Sequence, residues 1–105
     1  MREKRIAHLR EVLAQDPNDS FSRYALALEF AGMGNLSEAL QLLEDLLTRD
    51  PSYLPGYQQL ASLYAQTQRT KDAIVILKRG IGLAQQQQDH HTQSELQEAL
   101  EELES

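Results

Sequence analysis

The chain has 105 residues, 41% hydrophobic and 25% charged, the makeup of one ordinary globular domain with a modest core. It contains no cysteine, which excludes disulfides, thiolate chemistry and cysteine-bound zinc. Its formal net charge of −6 excludes a general nucleic-acid binder, which needs lysine and arginine gathered against phosphates.

Over about Arg2–Gln15, Ile6, Leu9, Val12 and Leu13 recur on one helical stripe and predict an N-terminal helix. Pro17 disfavours helix at Asp16 before it. Asn18, Asp19 and Ser20 then offer N-cap oxygens for a second helix of about Phe21–Met33. Gly34 closes that helix, because glycine accepts the left-handed conformation at a helix end. Asn35, with Glu38 three residues on, has the form of a capping box and opens a third helix to about Arg49. Pro55 is tolerated in the first turn of a fourth helix ending near Gln66, since the amide it lacks would be unpaired there.

Thr70 is the only good cap former before the fifth helix. No proline or turn signal interrupts Lys71 to Gln88, so this helix is expected to overrun, although Gly80 and Gly82 each weaken it by ~1 kcal/mol relative to alanine. Thr92 and Glu95 make another capping-box pattern. Leu96, Leu100 and Leu103 follow as the buried stripe of a last helix whose glutamates face water. Six helices and no alternating strand pattern place the chain in the all-α class.

Asp16-Pro17 recurs as Asp50-Pro51, a spacing of 34 residues. The same shift lays Leu26 on Leu60, Ala27 on Ala61, Phe30 on Tyr64, Ala39 on Ala73 and Leu43 on Leu77. A period of this size marks a helical solenoid unit that buries its apolar face by stacking on a neighbour. These residues resemble the tetratricopeptide family: a Leu and a small residue in the first helix, an aromatic one turn later, an Ala opening the second helix, and a closing proline. The resemblance covers two units, Ser20–Tyr53 and Leu54–Gln87. Residues 1–17 then read as an N-terminal cap, the second helix of a missing unit, and 92–104 as a polar-faced C-terminal cap. It implies a single domain, a short right-handed α-solenoid.

The departures from the family pattern are local. The family's Trp is Arg23 in one unit and Tyr57 in the other. Gln85 stands where a proline should close the second unit. Leu46 in the first unit and Gly80 in the second occupy the late small position, where Gly80 suits a close helix crossing.

No nucleophile elbow, phosphate-binding glycine loop or metal-binding helix motif is present, so neither an enzyme nor a cofactor is expected. Asp89-His90-His91 carries metal-compatible donors, but adjacent loop residues do not converge on one ion without further ligands. His8 reads as a boundary side chain. No apolar run approaches the ~20 residues of a membrane span, and the basic N-terminus lacks the apolar stretch of a signal peptide. The expected location is the cytoplasm, with no membrane partner.

The resemblance implies a non-catalytic protein–protein interaction module, with a peptide or protein partner lying on a concave face lined by the first helix of each unit. The lining positions carried over are Phe21, Tyr24, Leu28 and Gly32, then Pro55, Gln58, Ser62 and Gln66; Phe21, Tyr24, Leu28, Gln58, Ser62 and Gln66 are the candidate partner-binding residues. Tyr53 or the last helix could instead cover the apolar ones. Family members that grip a C-terminal carboxylate do so with Lys, Asn and Arg, and here Tyr24, Leu28, Gln58 and Ser62 stand there. A short apolar or amphipathic segment suits this strip better. The second expectation is self-association. Met1–Gln15 carries four basic and two acidic residues, whereas Asp89–Ser105 carries six acidic and no Lys or Arg. Oppositely charged ends would favour a homodimer.

Overall fold

The computed structural model describes all residues, Met1–Ser105, as six α-helices without a strand. They are α1 (Arg2–Gln15), α2 (Ser20–Gly32), α3 (Leu36–Arg49), α4 (Leu54–Gln66), α5 (Thr70–Gln86) and α6 (His90–Glu104). The helices gather into two compact units, Met1–Tyr53 and Leu54–Ser105.

In the first unit α2 packs on α3, and α1 packs on α2. The core comes from Leu26, Ala27 and Phe30 of α2 with Ala39, Leu43 and Leu46 of α3. Ala27 and Ala39 have no exposed surface, in keeping with small residues where two helices lie close. α1 contributes no fully buried residue; Ile6, Leu9, Val12 and Leu13 are half-buried. Charges hold it in place as well. Arg2 and Arg5 both reach Glu29 Oε1, at 3.3 and 3.2 Å, and the Arg10 guanidinium lies 5.3 Å from the centre of the Phe30 ring.

Of the three cap oxygens before α2, that of Asp19 is used. The Ser22 amide donates to Asp19 Oδ1 at 3.2 Å and the Ser22 hydroxyl to Oδ2 at 3.0 Å. Gly34, at φ 82°, ends the helix as its sequence position predicts. The Asn35 amide then donates to Phe30 O and the Gly34 amide to Ala31 O, the paired bonds of a Schellman turn.

That turn explains why the expected capping box at α3 is not formed. A box needs the Asn35 amide free to bond the Glu38 side chain, and Phe30 has already taken it. Asn35 makes no side-chain cap bond, and Glu38 lies 4.0 Å from Arg10 instead. The same competition operates before α5. The Arg69 amide donates to Tyr64 O, the capping residue is Arg69, and Thr70 is already helical.

In the second unit α5 packs on both α4 and α6. Leu60, Ala61, Tyr64, Ala73, Ile76, Leu77, Ala84 and Leu96 are buried there. A Cβ at Gly80 would lie 3.0 Å from Tyr57 Cβ and 3.1 Å from Leu96 Cδ1, so the glycine admits a close crossing. Gly82 has nothing within 4 Å of such a carbon. α5 has 17 residues and is the longest helix, the expected overrun, stopping at Gln86 rather than Gln88. Two glutamines, Gln68 (φ 66°) and Gln88 (φ 59°), occupy the left-handed position that Gly34 fills in the first unit.

α6 begins three residues before the position that Thr92 as cap would give. Asp89 is the cap: its carboxylate accepts from the Thr92 amide at 3.1 Å and from the Thr92 hydroxyl at 2.8 Å. These bonds, the amide's first, hold the Asp89 carboxyl below the usual carboxylate range. Thr92 is therefore the donor and not the acceptor, and the Thr92–Glu95 box does not form. The leucine stripe is narrower than expected. Leu96 is 1% exposed, but Leu100 and Leu103 are only half-buried.

Candidate functional site

The second unit holds an open groove of about 510 Å³. One wall is α4, through Gln58, Gln59, Ala61, Ser62 and Ala65. The other is α6, through Glu95, Leu96, Ala99, Glu102 and Leu103, and Leu77 of α5 reaches it from below. Gln58, Ser62 and Ala65 recur at i, i+4 and i+7 and so share one face of α4. Glu95, Ala99 and Glu102 do the same on α6. The groove exists because Ser62, Ala65 and Ala99 are too short to fill the space. Its size is that of sites holding a small ligand or a few peptide residues.

Two of the three candidate residues of this unit line the groove. Gln58 is half-buried with its amide 3.5 Å from Glu95 Oε1, and Ser62 is exposed. Gln66 is exposed outside the lining and donates to Ser62 Oγ at 3.3 Å. The α6 half was missed by sequence reasoning, which carried lining positions onto the two full units only. The i, i+4, i+7 spacing of Glu95, Ala99 and Glu102 was the available signal.

In the first unit Phe21 is 66% exposed and Leu28 37% exposed, seven residues apart on α2. Tyr24 between them is half-buried, its ring centroid 5.5 Å from that of Tyr53 at an interplanar angle of 54°. Tyr53 thus covers Tyr24 but leaves Phe21 open to solvent. Burial, and then the neighbouring Tyr24, push the Tyr53 hydroxyl pKa up. At Gly32 an added Cβ would stand 3.1 Å from the Arg2 guanidinium, so α1 already occupies that end of the strip.

Arg23, in place of the family's Trp, has a local role. Its guanidinium and that of Arg49 both donate to the Pro17 carbonyl, and Arg49 also donates to Asn18 Oδ1 at 3.1 Å. Burial and the Arg49 charge lower the Arg23 pKa. The two arginines tie down the turn between α1 and α2. They are spent on structure.

No group of three or more His, Cys, Asp or Glu residues is placed to hold a metal ion. His8 lies exposed beside Glu11, Val12 and Gln15, and His90 and His91 are exposed in the first turn of α6. No helix is long and apolar enough to cross a membrane.

A family model described as tetratricopeptide repeat matches residues 30–100, more than half of the chain, and a second of the same description matches residues 1–58. The chain belongs to the tetratricopeptide repeat family. Its helices are those of an all-α repeat fold, and that fold is generally one of protein–protein interaction and typically non-catalytic.

Among solved structures, a tetratricopeptide repeat domain protein from Salinibacter ruber in solution is 43% identical, with a TM-score of 0.81 over 85% of this chain and 90% of that one. The crystal structure of such a protein from the same organism is 41% identical, with a TM-score of 0.80 over 83% and 98%. The TPR2B domain of yeast Sti1, in complex with pHsp70, is only 14% identical yet has a TM-score of 0.87 over 94% of this chain and 79% of that one. At that identity the likeness is one of fold alone. No curated protein matches the chain.

Proposed function

We propose that this tetratricopeptide chain is a non-catalytic binding module that holds a short apolar or amphipathic segment of a partner protein. The groove between α4 and α6 carries the reading. It combines apolar and small side chains at its base with amides at its edge, and no side chain of its own fills it. Phe21, Tyr24 and Leu28 form a second apolar strip in the first unit, two of them open to solvent. The Sti1 complex with pHsp70 supports a protein partner as the class of ligand for this fold. Tyr24, Leu28, Gln58 and Ser62 offer no cation, so a terminal carboxylate is not the recognised group. The cytoplasm remains the proposed location.

The test is selection of a phage-displayed library of random twelve-residue peptides on the wild-type protein and on Ala99→Trp, whose indole would occupy the groove. The reading expects peptides enriched on the wild type alone, with amide NMR shifts on binding at Gln58, Ser62, Ala65, Ala99 and Leu103. Equal enrichment on both proteins would remove the groove from the site. Concentration-dependent dimerisation through Phe21, abolished by Phe21→Ser, would favour self-association instead.

A further inference from the structure

The walls of the groove carry a single sign of charge. α4 has no charged residue at all, and α6 has five glutamates and neither lysine nor arginine. Two of those glutamates, Glu95 and Glu102, line the groove, and none of its lining side chains is a lysine or arginine. No lysine or arginine is paired with Glu95, whose side-chain neighbours are polar. They are the Gln58 amide at 3.5 Å and the His91 imidazole at 3.6 Å, and His91 is 86% exposed. Lys78 is a neighbour of α6, but it lies 3.8 Å from Glu104 and outside the groove.

Geometry adds a spacing to the sign. Glu95 and Glu102 are two helical turns apart on one face, about 10.5 Å along the axis at 1.5 Å per residue. Ala99 lies between them, and Ala65 and Leu103 lie alongside. A polyproline II segment has three residues per turn and rises ~3.1 Å per residue, so side chains three positions apart share one face and match the two carboxylates. A helical segment would match them at seven.

Resting on the binding reading above, we infer that the groove takes a cationic amphipathic peptide segment: two Lys or Arg side chains about 10 Å apart on Glu95 and Glu102, with small apolar side chains between them on Ala65, Ala99 and Leu103. Burial of the apolar side chains supplies affinity, and the two carboxylates set register and reject acidic competitors.

The peptides enriched in the library selection carry the test, together with Glu95→Gln/Glu102→Gln. Both glutamates are exposed, so the double variant keeps its core. Enriched sequences should carry two cations three or seven positions apart flanking apolar residues. A synthetic copy should bind about tenfold more weakly to the double variant and should lose affinity with added salt, which screens exposed charges beyond ~10 Å at 0.1 M. Enriched peptides that are neutral or acidic, yet blocked by Ala99→Trp, would overturn the charge inference and leave the groove reading standing. An absence of groove-dependent enrichment would overturn both. A dimer lost in the double variant, with no peptide selected, would assign the groove to a second copy and overturn the inference of a peptide partner.

Discussion

The Ser20 hydroxyl donates to Asp50 Oδ2 at 2.6 Å, joining the first residue of α2 to the cap of α3 across 30 positions of sequence. Asp50 also accepts from Ser52 Oγ at 2.9 Å. The recurrent Asp-Pro pair therefore does more than stop a helix. Its carboxylate closes the first unit on itself.

Acid should open that closure. The Ser20 hydroxyl first, then that of Ser52, hold the Asp50 carboxyl below the usual range. A carboxyl whose folded pKa is depressed contributes its full stability above its unfolded pKa of roughly 3.9 and loses it as pH falls through the folded value. Urea unfolding of the wild type should weaken below about pH 4, and Ser20→Ala should show a shallower acid limb from a lower plateau. Parallel limbs would show that the bond has no part in the pH dependence.

Gln68 and Gln88 should be the easiest positions at which to stabilise the chain. Each sits in the left-handed region, which costs a residue with a Cβ about 1–2 kcal/mol, partly offset by glycine's greater unfolded entropy. Gln68→Gly and Gln88→Gly should each add about 0.5–1 kcal/mol, and Gly34→Ala should lose about as much, by denaturant titration. A neutral or destabilising Gln→Gly exchange at both sites would contradict these backbone angles.

The two glycines of α5 should respond with opposite signs to the same substitution. Gly82→Ala meets nothing and should gain about 1 kcal/mol of helix propensity. Gly80→Ala must push on Tyr57 and Leu96 at 3.0 and 3.1 Å and should cost about 1–3 kcal/mol. Thermal melts of the pair decide this, and a gain at Gly80 would mean a looser crossing of α5 than described.

α6 should be needed for the second unit to remain folded. Leu96→Ala, leaving a hole beside Gly80, should cost about 2–5 kcal/mol, whereas Leu103→Ala at the half-buried groove edge should cost less. Truncation after Asp89 should lower the melting temperature and promote association through uncovered apolar surface. A truncated chain that melts as the full-length one does would make α6 a dispensable tail.

The repeat was legible because it is written twice: Leu26-Ala27 over Leu60-Ala61, and Ala39 over Ala73, mark a period that local propensity cannot produce. The core followed from it, since those positions are buried in both units. Helix starts were harder to read. Asn35, Thr70 and Thr92 all have the chemistry of a cap, but each preceding turn spends backbone amides on carbonyls five residues back, and side-chain patterns do not register that competition. The left-handed glutamines gave no sign either, because their residue type argues against the conformation. The groove was half legible. Gln58 and Ser62 came from the repeat, whereas Ala99 and Glu102 lie beyond its last full unit, where the register slips with the longer α5.

The thin seating of α1 gives the first unit a removable edge. A helix with no fully buried residue, fastened by Arg2 and Arg5 on Glu29 and by Arg10 over Phe30, can detach while α2 and α3 keep their own interior intact. Its amide hydrogens should therefore trade with solvent deuterium as one cooperative block, far sooner than those near Leu43 and Leu46, and sooner still as ionic strength rises. When it lifts, it frees the Gly32 end of the α2 face that begins at Phe21 and, on the opposite face, withdraws Arg10 from the Phe30 ring.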